Sequence, residues 1–352
     1  MSFGKRLICA LLTTILFLSF CPSISPADTS SSAFFLQSAY VARYGETATV
    51  QARISIGQVQ NWTLQTADGT TLGSVRAGGR DNMISFVFPV TFDFPRLSIL
   101  RLFCEEREEY LCEAPLVCDQ PQNGGIRQVA TDRRAVAITF DTASAAGKVY
   151  QILDLLDQYH AKATFFMIGI YAIYNPNEAK EIAARGHEIA SHSYEHLAMS
   201  ESAREDIFKS LNQADQLLRT INGNKTVHYR PPSGISVFAD RAVAHALGAE
   251  VILWSIDSGD GFSYVSESGV QLRVKGALHN GGIVLMHVYG HHTLNALKVL
   301  LPYYAEQGYS FVTVADLLLG GDTYTDAFGT QRSLHHSDAQ IAPIAERLKD
   351  GR

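Results

Sequence analysis

The sequence predicts two folded parts: a small all-β, sandwich-like domain over about residues 28–118, and a larger α/β domain with parallel strands over 133–321. Three observations carry this. Short alternating segments such as 48–54 and 83–88, separated by turn formers, fill the first part. Continuous apolar runs alternating with helix-periodic stretches fill the second. Between them, Asp119-Gln120-Pro121-Gln122-Asn123-Gly124-Gly125 is polar and rich in turn formers, which marks a linker over 119–132.

At 352 residues with 46% hydrophobic and 18% charged composition, the chain can bury one or two ordinary cores and lacks the polarity of a disordered protein. The net charge is -6 and no lysine or arginine run is long enough to track a phosphate backbone, so no nucleic-acid partner is expected. Lys5 and Arg6 precede an apolar run from Leu7 to Phe20, followed by Pro22 and Ser25-Pro26-Ala27, the layout of a signal peptide. The run, about 14 residues, is shorter than the roughly 20 that span hydrocarbon. The expectation is export with cleavage after Ala27, a secreted or cell-envelope location, and no stable membrane span afterwards. Removing 1–27 takes away Cys9 and Cys21 and leaves Cys104, Cys112 and Cys118. These predict one local disulfide and one spare thiol, with a three-cysteine zinc site as the alternative.

In the first domain Asp68-Gly69 and Gly78-Gly79 are hairpin signals, and no segment is both long and helix-periodic. A spacer is the plain reading; a carbohydrate-binding role would need an aromatic platform that the sequence does not single out. In the second domain 135–140 is a continuous apolar β run, 149–160 is helix-like and 163–168 is a second buried strand. The alternation continues through strand 188–191, helix 204–221, strands 251–254 and 283–286, helix 294–307 and strand 311–312, leaving 322–352 as a polar tail. Periodicity does not choose between a barrel and an open sheet.

In such an architecture the active site gathers where strands end and loops begin. Asp141 ends the first run, His192 follows strand 188–191, Asp257 and Asp260 follow Trp254, and His287 ends strand 283–286. Strand ends thus deliver acids and imidazoles to one face. His192 and His196 are four apart, which on a helical turn places both imidazoles on one side to grip a divalent ion. Spacing alone is weak, because 12 histidines in 352 residues give about 0.4 such pairs by chance, and His287 with His291 forms another. Arg230-Pro231-Pro232-Ser233-Gly234 is either an ordinary loop or a functional turn. In the functional case its prolines fix a backbone N–H toward oxyanion charge while Arg230 pairs with a buried carboxylate.

Taken in order, Thr139-Phe140-Asp141, His192 to His196, Arg230 to Gly234, Trp254 to Asp260 and Leu285-Met286-His287 resemble the NodB-type polysaccharide deacetylases of carbohydrate esterase family four. The likeness runs from about Val136 to Leu318. It implies a distorted β/α barrel, the NodB homology domain. It implies a hydrolase of carbon–nitrogen bonds other than peptide bonds, removing acetyl groups from N-acetylated or O-acetylated cell-wall or extracellular polysaccharide. Asp141 would be the general base, His287 the general acid, Arg230 would orient Asp141, and Asp260 would orient His287, with Asp257 structural or an alternate partner. His192 and His196 would hold a divalent metal, zinc first, with cobalt or manganese as alternatives. Tyr194, Ser233 and Phe262 would face substrate, and the backbone N–H near Ser233 would meet the oxyanion. The partner would be a glycan, peptidoglycan or another N-acetylhexosamine polymer.

The chain departs from the family pattern in two places. Thr142 stands where the family has a second aspartate as third metal ligand; a neutral hydroxyl is a poor replacement, so Thr142 is a doubtful ligand and metal binding is expected to be weaker. Gly261-Phe262 stands where the family places a tryptophan, with Phe262 as a substitute, and Ser233 stands where many relatives carry an aromatic residue. His291 and His292 read as loop residues. The competing reading is a glycan-binding or scaffold protein that lost turnover with the third ligand; against it stand acid, base and both orienting partners. A small-molecule amide hydrolase on the same fold is a third, disfavoured by the export signal.

Overall fold

Period-two alternation builds the first domain: β1 (Ser31–Phe35), β2 (Tyr40–Arg43), β3 (Thr47–Thr66), β4 (Thr71–Pro89), β5 (Leu97–Cys104) and β6 (Glu109–Asp119). The computed structural model describes residues 31–333, apart from 92–93, 120–123, 145–147 and 224; the expected signal peptide and residues 334–352 of the expected tail lie outside it. The strands form one six-stranded sheet in the order β1-β3-β5-β6-β2, with β4 beside β3. Val50, Ala52 and Ile54 of β3, Ile84, Phe86 and Phe88 of β4, and Leu100 and Leu102 of β5 all turn into one core with Trp62.

Asp68-Gly69 turns the β3–β4 hairpin as predicted. Gly78-Gly79 does not turn the chain. It lies inside β4 where the register against β3 slips between Ile56 and Gln60, and a Cβ on Gly78 would stand 2.2 Å from the Gln58 carbonyl oxygen. The bulge sits in the long β3–β4 hairpin of this all-β domain, whose six strands are joined in one hydrogen-bonded order around a shared core. The expected disulfide does not form either. Cys104 Sγ donates to Gln60 Oε1 at 2.8 Å, and burial pushes the Cys112 thiol up to about 12.

The second domain alternates strand and helix: β7 (Gln128–Val129), β8 (Ala135–Thr142), α1 (Val149–Gln158), β9 (Ala163–Met167), α2 (Gly169–Tyr174), α3 (Pro176–Ala184), β10 (Glu188–Ser191), α4 (Arg204–Asn222), β11 (His228–Tyr229), α5 (Phe238–Ala246), β12 (Glu250–Val251), β13 (Ile256–Asp257), α6 (Glu267–Gly276), β14 (Gly282–His287), α7 (Thr293–Glu306), β15 (Ser310–Phe311), α8 (Val314–Leu317), β16 (Thr323–Thr325) and β17 (Thr330–Ser333). β8 and β9 are buried along their whole length, as continuous apolar runs covered on both faces must be. The parallel strands run β12-β11-β10-β9-β8-β14, with β13 beside β14 and β15 beside β8. The sheet curls into a distorted barrel, interrupted between β12 and β13, where Ile126 bridges Ile252.

The linker and tail boundaries shift. Ile126 and β7, assigned to the linker by sequence, belong to the barrel, and residues 323–333 of the expected tail form the β16–β17 hairpin. β17 pairs in parallel with β7, so Thr330 lies opposite Gln128, and Arg127 N–H donates to the Gly329 carbonyl at 2.7 Å.

His187, just before β10, is buried, with Nδ1 accepting the Ala163 N–H at 3.2 Å and Nε2 carrying no hydrogen bond. Burial lowers its pKa to about 4. The unfolded chain therefore takes up this proton first. The stability His187 contributes is complete above about pH 6.5 and is lost as pH falls toward its folded pKa, by up to about 3 kcal/mol. Thermal unfolding across that window is expected to steepen in the wild type. His187→Gln, which keeps an acceptor for Ala163, should flatten the dependence; an unchanged slope would count against this assignment.

Candidate active site

The two-residue strand β11 ends just before Arg230, and Pro231 keeps Arg230 out of the helical region. With β9 and β10 lying between β11 and β8, the Arg230 side chain crosses the barrel interior to reach Asp141. Arg230 is fully buried: Nη1 donates to Asp141 Oδ1 at 2.8 Å, Nη2 to the Leu253 carbonyl at 3.0 Å and Nε to the Ile252 carbonyl at 3.3 Å. Its guanidinium carbon also lies 3.9 Å from the Phe166 ring centre. A buried charge is tolerable only with such full pairing. Burial works to raise the pKa of Asp141, but the electrostatic interactions with His192, Arg230 and His287 and the hydrogen bond from Arg230 outweigh it and hold the carboxyl below its ordinary value.

His192 follows β10 and is buried, its Nδ1 2.8 Å from the Arg230 carbonyl. A carbonyl only accepts, so Nδ1 carries the proton and Nε2, 3.5 Å from Asp141 Oδ2, presents its lone pair. Burial lowers the His192 pKa to about 4, keeping the imidazole neutral. His196 arrives differently from the helical turn predicted. Ser193 and His196 have φ of 69° and 63°, and Ser193 Oγ accepts the N–H of His196 at 3.1 Å and of Leu197 at 3.3 Å. A left-handed loop, not a helix, brings the two rings to 5.1 Å between centres, with His196 on the exposed side.

Thr142 does not join them. It is fully buried and its hydroxyl donates to the Phe140 carbonyl at 3.2 Å, which holds the side chain against its own strand. Among the described residues no three His, Cys, Asp or Glu side chains gather as a ready metal cage. The donor set of two imidazoles with Asp141 beside them fits a divalent ion bound through nitrogen in an open site, one carboxylate short of a three-ligand set.

His287 ends β14 opposite Asp141 in register. Its Nδ1 is 2.8 Å from Asp260 Oδ1, and its backbone N–H donates to Asp260 Oδ2 at 2.8 Å. Asp260 is fully buried and also accepts the hydroxyls of Ser258, at 3.0 Å, and Thr293. Gly290 makes room for it: a Cβ there would stand 2.5 Å from Asp260 Oδ2. Burial works to lower the pKa of His287, but the hydrogen bond and charge of Asp260 and the charge of Asp141 overcome it, leaving it raised. Asp257 accepts the Gly259 N–H at 2.8 Å, a local turn contact.

Around this centre the Tyr194 ring lies so close to Gly169 that a Cβ there would stand 2.4 Å from it. Ser233 is exposed in a left-handed conformation, with φ of 58°. Phe262 is 52% exposed and stacks on Tyr264 at 5.3 Å, so it stands on a rim instead of lining a closed pocket. Gly261 abuts His287: a Cβ there would lie 3.1 Å from the ring. Sequence reasoning missed Ser258 and Thr293, which hold Asp260, together with Tyr264 and Tyr289, whose ring centre is 5.0 Å from that of His287. Tyr289 sits two residues beyond His287 and was open to discovery by that spacing. Thr293 depends on a turn the sequence does not announce.

The family described as polysaccharide deacetylase matches residues 128–252. A peptidoglycan-N-acetylglucosamine deacetylase of Bacillus cereus is 37% identical over 196 residues, 54% of this chain and 91% of that protein. The peptidoglycan-N-acetylglucosamine deacetylase PgdA of Listeria monocytogenes is 30% identical over 188 residues, 53% of this chain but only 40% of that protein. The matched part of this chain thus spans less than half of the longer relative. Among solved structures, the Bc1960 peptidoglycan N-acetylglucosamine deacetylase shares 27% identity at a TM-score of 0.51, covering 55% of this chain and 91% of the other. The fold is also shared by a family-four pseudoenzyme from Bacillus anthracis, at 23% identity and a TM-score of 0.53 over 62% of this chain and 83% of the other. With the curled β/α barrel in place and a Bacillus relative matched over nine-tenths of its length, the chain belongs to the polysaccharide deacetylase family.

Proposed function

We propose that this protein is a metal-dependent deacetylase of N-acetylated or O-acetylated glycans, with peptidoglycan or another N-acetylhexosamine polymer as substrate, exported to the cell envelope or beyond. The observation that carries the reading is the pairing of Asp141 with Arg230 and of His287 with Asp260 on adjacent strands in register. The names of the relatives support the substrate class, and the basic stretch, apolar run and Ser-Pro-Ala of residues 5–27 support export. No helix among the described residues is long and apolar enough to cross a membrane.

A divalent ion, zinc first with cobalt or manganese as alternatives, held by His192 and His196 would supply Lewis acidity, drawing the pKa of water down toward about 7 and polarising the acyl oxygen. Asp141, kept ionised by Arg230, accepts the proton of the attacking water. His287, kept protonated by Asp260, donates to the leaving nitrogen or oxygen. Each positioned acid or base is worth about a hundredfold to ten-thousandfold. Phe262, Tyr194 and the turn at Ser233 border the approach for the sugar.

Acetate release from N-acetylglucosamine oligomers and from peptidoglycan, by metal-stripped and zinc-, cobalt- or manganese-reloaded protein, tests this directly. Release that needs both metal and His192, lost in His192→Ala, is expected; no release with any metal or acetylated glycan would leave the glycan-binding scaffold as the reading. That second reading draws on Thr142, whose hydroxyl is bonded to backbone where a carboxylate would complete the metal shell. The pH profile gives an independent check. Because Asp260 holds the His287 pKa up, Asp260→Asn should move the alkaline limb of kcat/KM to lower pH, while an unmoved limb would assign the acid elsewhere.

A further inference from the structure

We propose that the N-terminal all-β domain is a positioning element for the His196 loop, clamping it through an apolar cluster shared between the two domains. This rests on reading His196 as a site residue. Ala39, Val41 and Val117 of the β domain are buried in one cluster with Met199, with Ile207, Phe208 and Leu211 of α4, and with Tyr229; Leu197 packs against its edge. Leu197 directly follows His196 and Tyr229 directly precedes Arg230, so the β domain presses on the backbone flanking two residues of the candidate site.

Polar contacts pin the same surface. Arg204 Nη1 donates to the Val41 carbonyl at 2.8 Å, Ser38 N–H donates to Glu205 Oε1 at 2.8 Å, and the guanidinium carbons of Arg43 and Arg204 lie 4.6 and 5.9 Å from the Phe238 ring centre. α4 then ties back to the loop. Ser210 Oγ accepts the Tyr194 N–H at 3.1 Å and donates to Glu195 Oε2 at 2.8 Å. The loop needs such support, because Ser193 and His196 both hold left-handed backbone, a conformation that costs non-glycine residues energy and persists only when the surroundings impose it. A free-swinging spacer would leave that strain to the loop's own hydrogen bonds from Ser193 Oγ.

Hydrogen exchange of the His196 and Leu197 amides, both bonded to Ser193 Oγ, reads the clamp without recourse to activity. The double variant Val41→Ala/Val117→Ala is expected to speed their exchange roughly tenfold. Val50→Ala, which opens a cavity in the β domain's own core away from the interface, should lower thermal stability while leaving those amides at wild-type rates. Arg204→Gln, on the rim, provides a milder variant that should fold and give a smaller increase of the same sign. Equal rates at His196 and Leu197 in the interface variants and in Val50→Ala would overturn the clamp. Zinc titration of the same proteins separates the two readings. Affinity weakened in the interface variants but not in Val50→Ala supports the clamp; a wild type that binds no zinc would overturn the metal reading alone, with exchange still deciding the clamp.

Discussion

Asp141→Asn is expected to lower acetate release by about a hundredfold to ten-thousandfold, because the amide cannot take a proton from water. The same change should destabilise the fold. Arg230 is fully buried, and once the carboxylate is gone its charge has no opposite charge beside it, only the neutral Ile252 and Leu253 carbonyls, the Phe166 and Trp254 rings and the amide oxygen put in its place. Breaking one side of a buried pair costs about 3–5 kcal/mol, far more than a surface pair. Chemical denaturation and acetate release should therefore fall together in Asp141→Asn. Arg230→Met in the same background should recover part of the stability and none of the activity. Retained turnover in Asp141→Asn would move the base to another group.

Thr142→Asp should strengthen zinc binding by at least about tenfold, since even groups that only support the ligands are worth about tenfold to a hundredfold. The sign depends on the metal. In the stripped protein a second carboxylate beside Asp141 in a buried site adds like-charge repulsion and desolvation, so Tm should drop; with zinc it should recover beyond the wild-type gain. Calorimetric titration with parallel melting curves would show both. An affinity equal to that of the wild type would mean that the side chain at 142 keeps facing the Phe140 carbonyl and cannot turn to the histidines.

Where chemistry demanded a strand, the sequence was readable. The apolar runs at 135–140, 163–168 and 283–286 became β8, β9 and β14 because only strands buried on both faces tolerate so many consecutive apolar residues. Asp141, His192, Asp260 and His287 could be marked because each is a polar residue just past such a strand or its loop. The manner of approach was not readable. Four-residue spacing suggested a helix for His192 and His196, but a loop with two left-handed residues also closes that distance, and propensity does not favour it at Ser or His. Gly78-Gly79 carried a hairpin signature and proved to be a bulge, since the partner strand decides between the two. The two-residue strands β11 and β13 fall below any periodic signal, the apolar run at 251–254 yields only the edge of β12, and β7, β16 and β17 are too polar and short to be seen without their partners.

The pairing of β17 with β7 also bears on how the barrel is made. Gln128 Nε2 donates to Thr330 Oγ1 at 3.1 Å across 202 residues of sequence. A contact of such separation carries a large loop-closure entropy and forms only after the intervening strands have shortened the path between its ends. The stitch is thus expected to close late in folding. During synthesis, the Gly329 carbonyl that receives the Arg127 amide becomes available only after nearly all of the barrel has left the ribosome. Until then the Ile126–Val129 segment, held on its other side by Ile252 and β14, lacks β17, and a chain truncated just after α8 would keep that edge open.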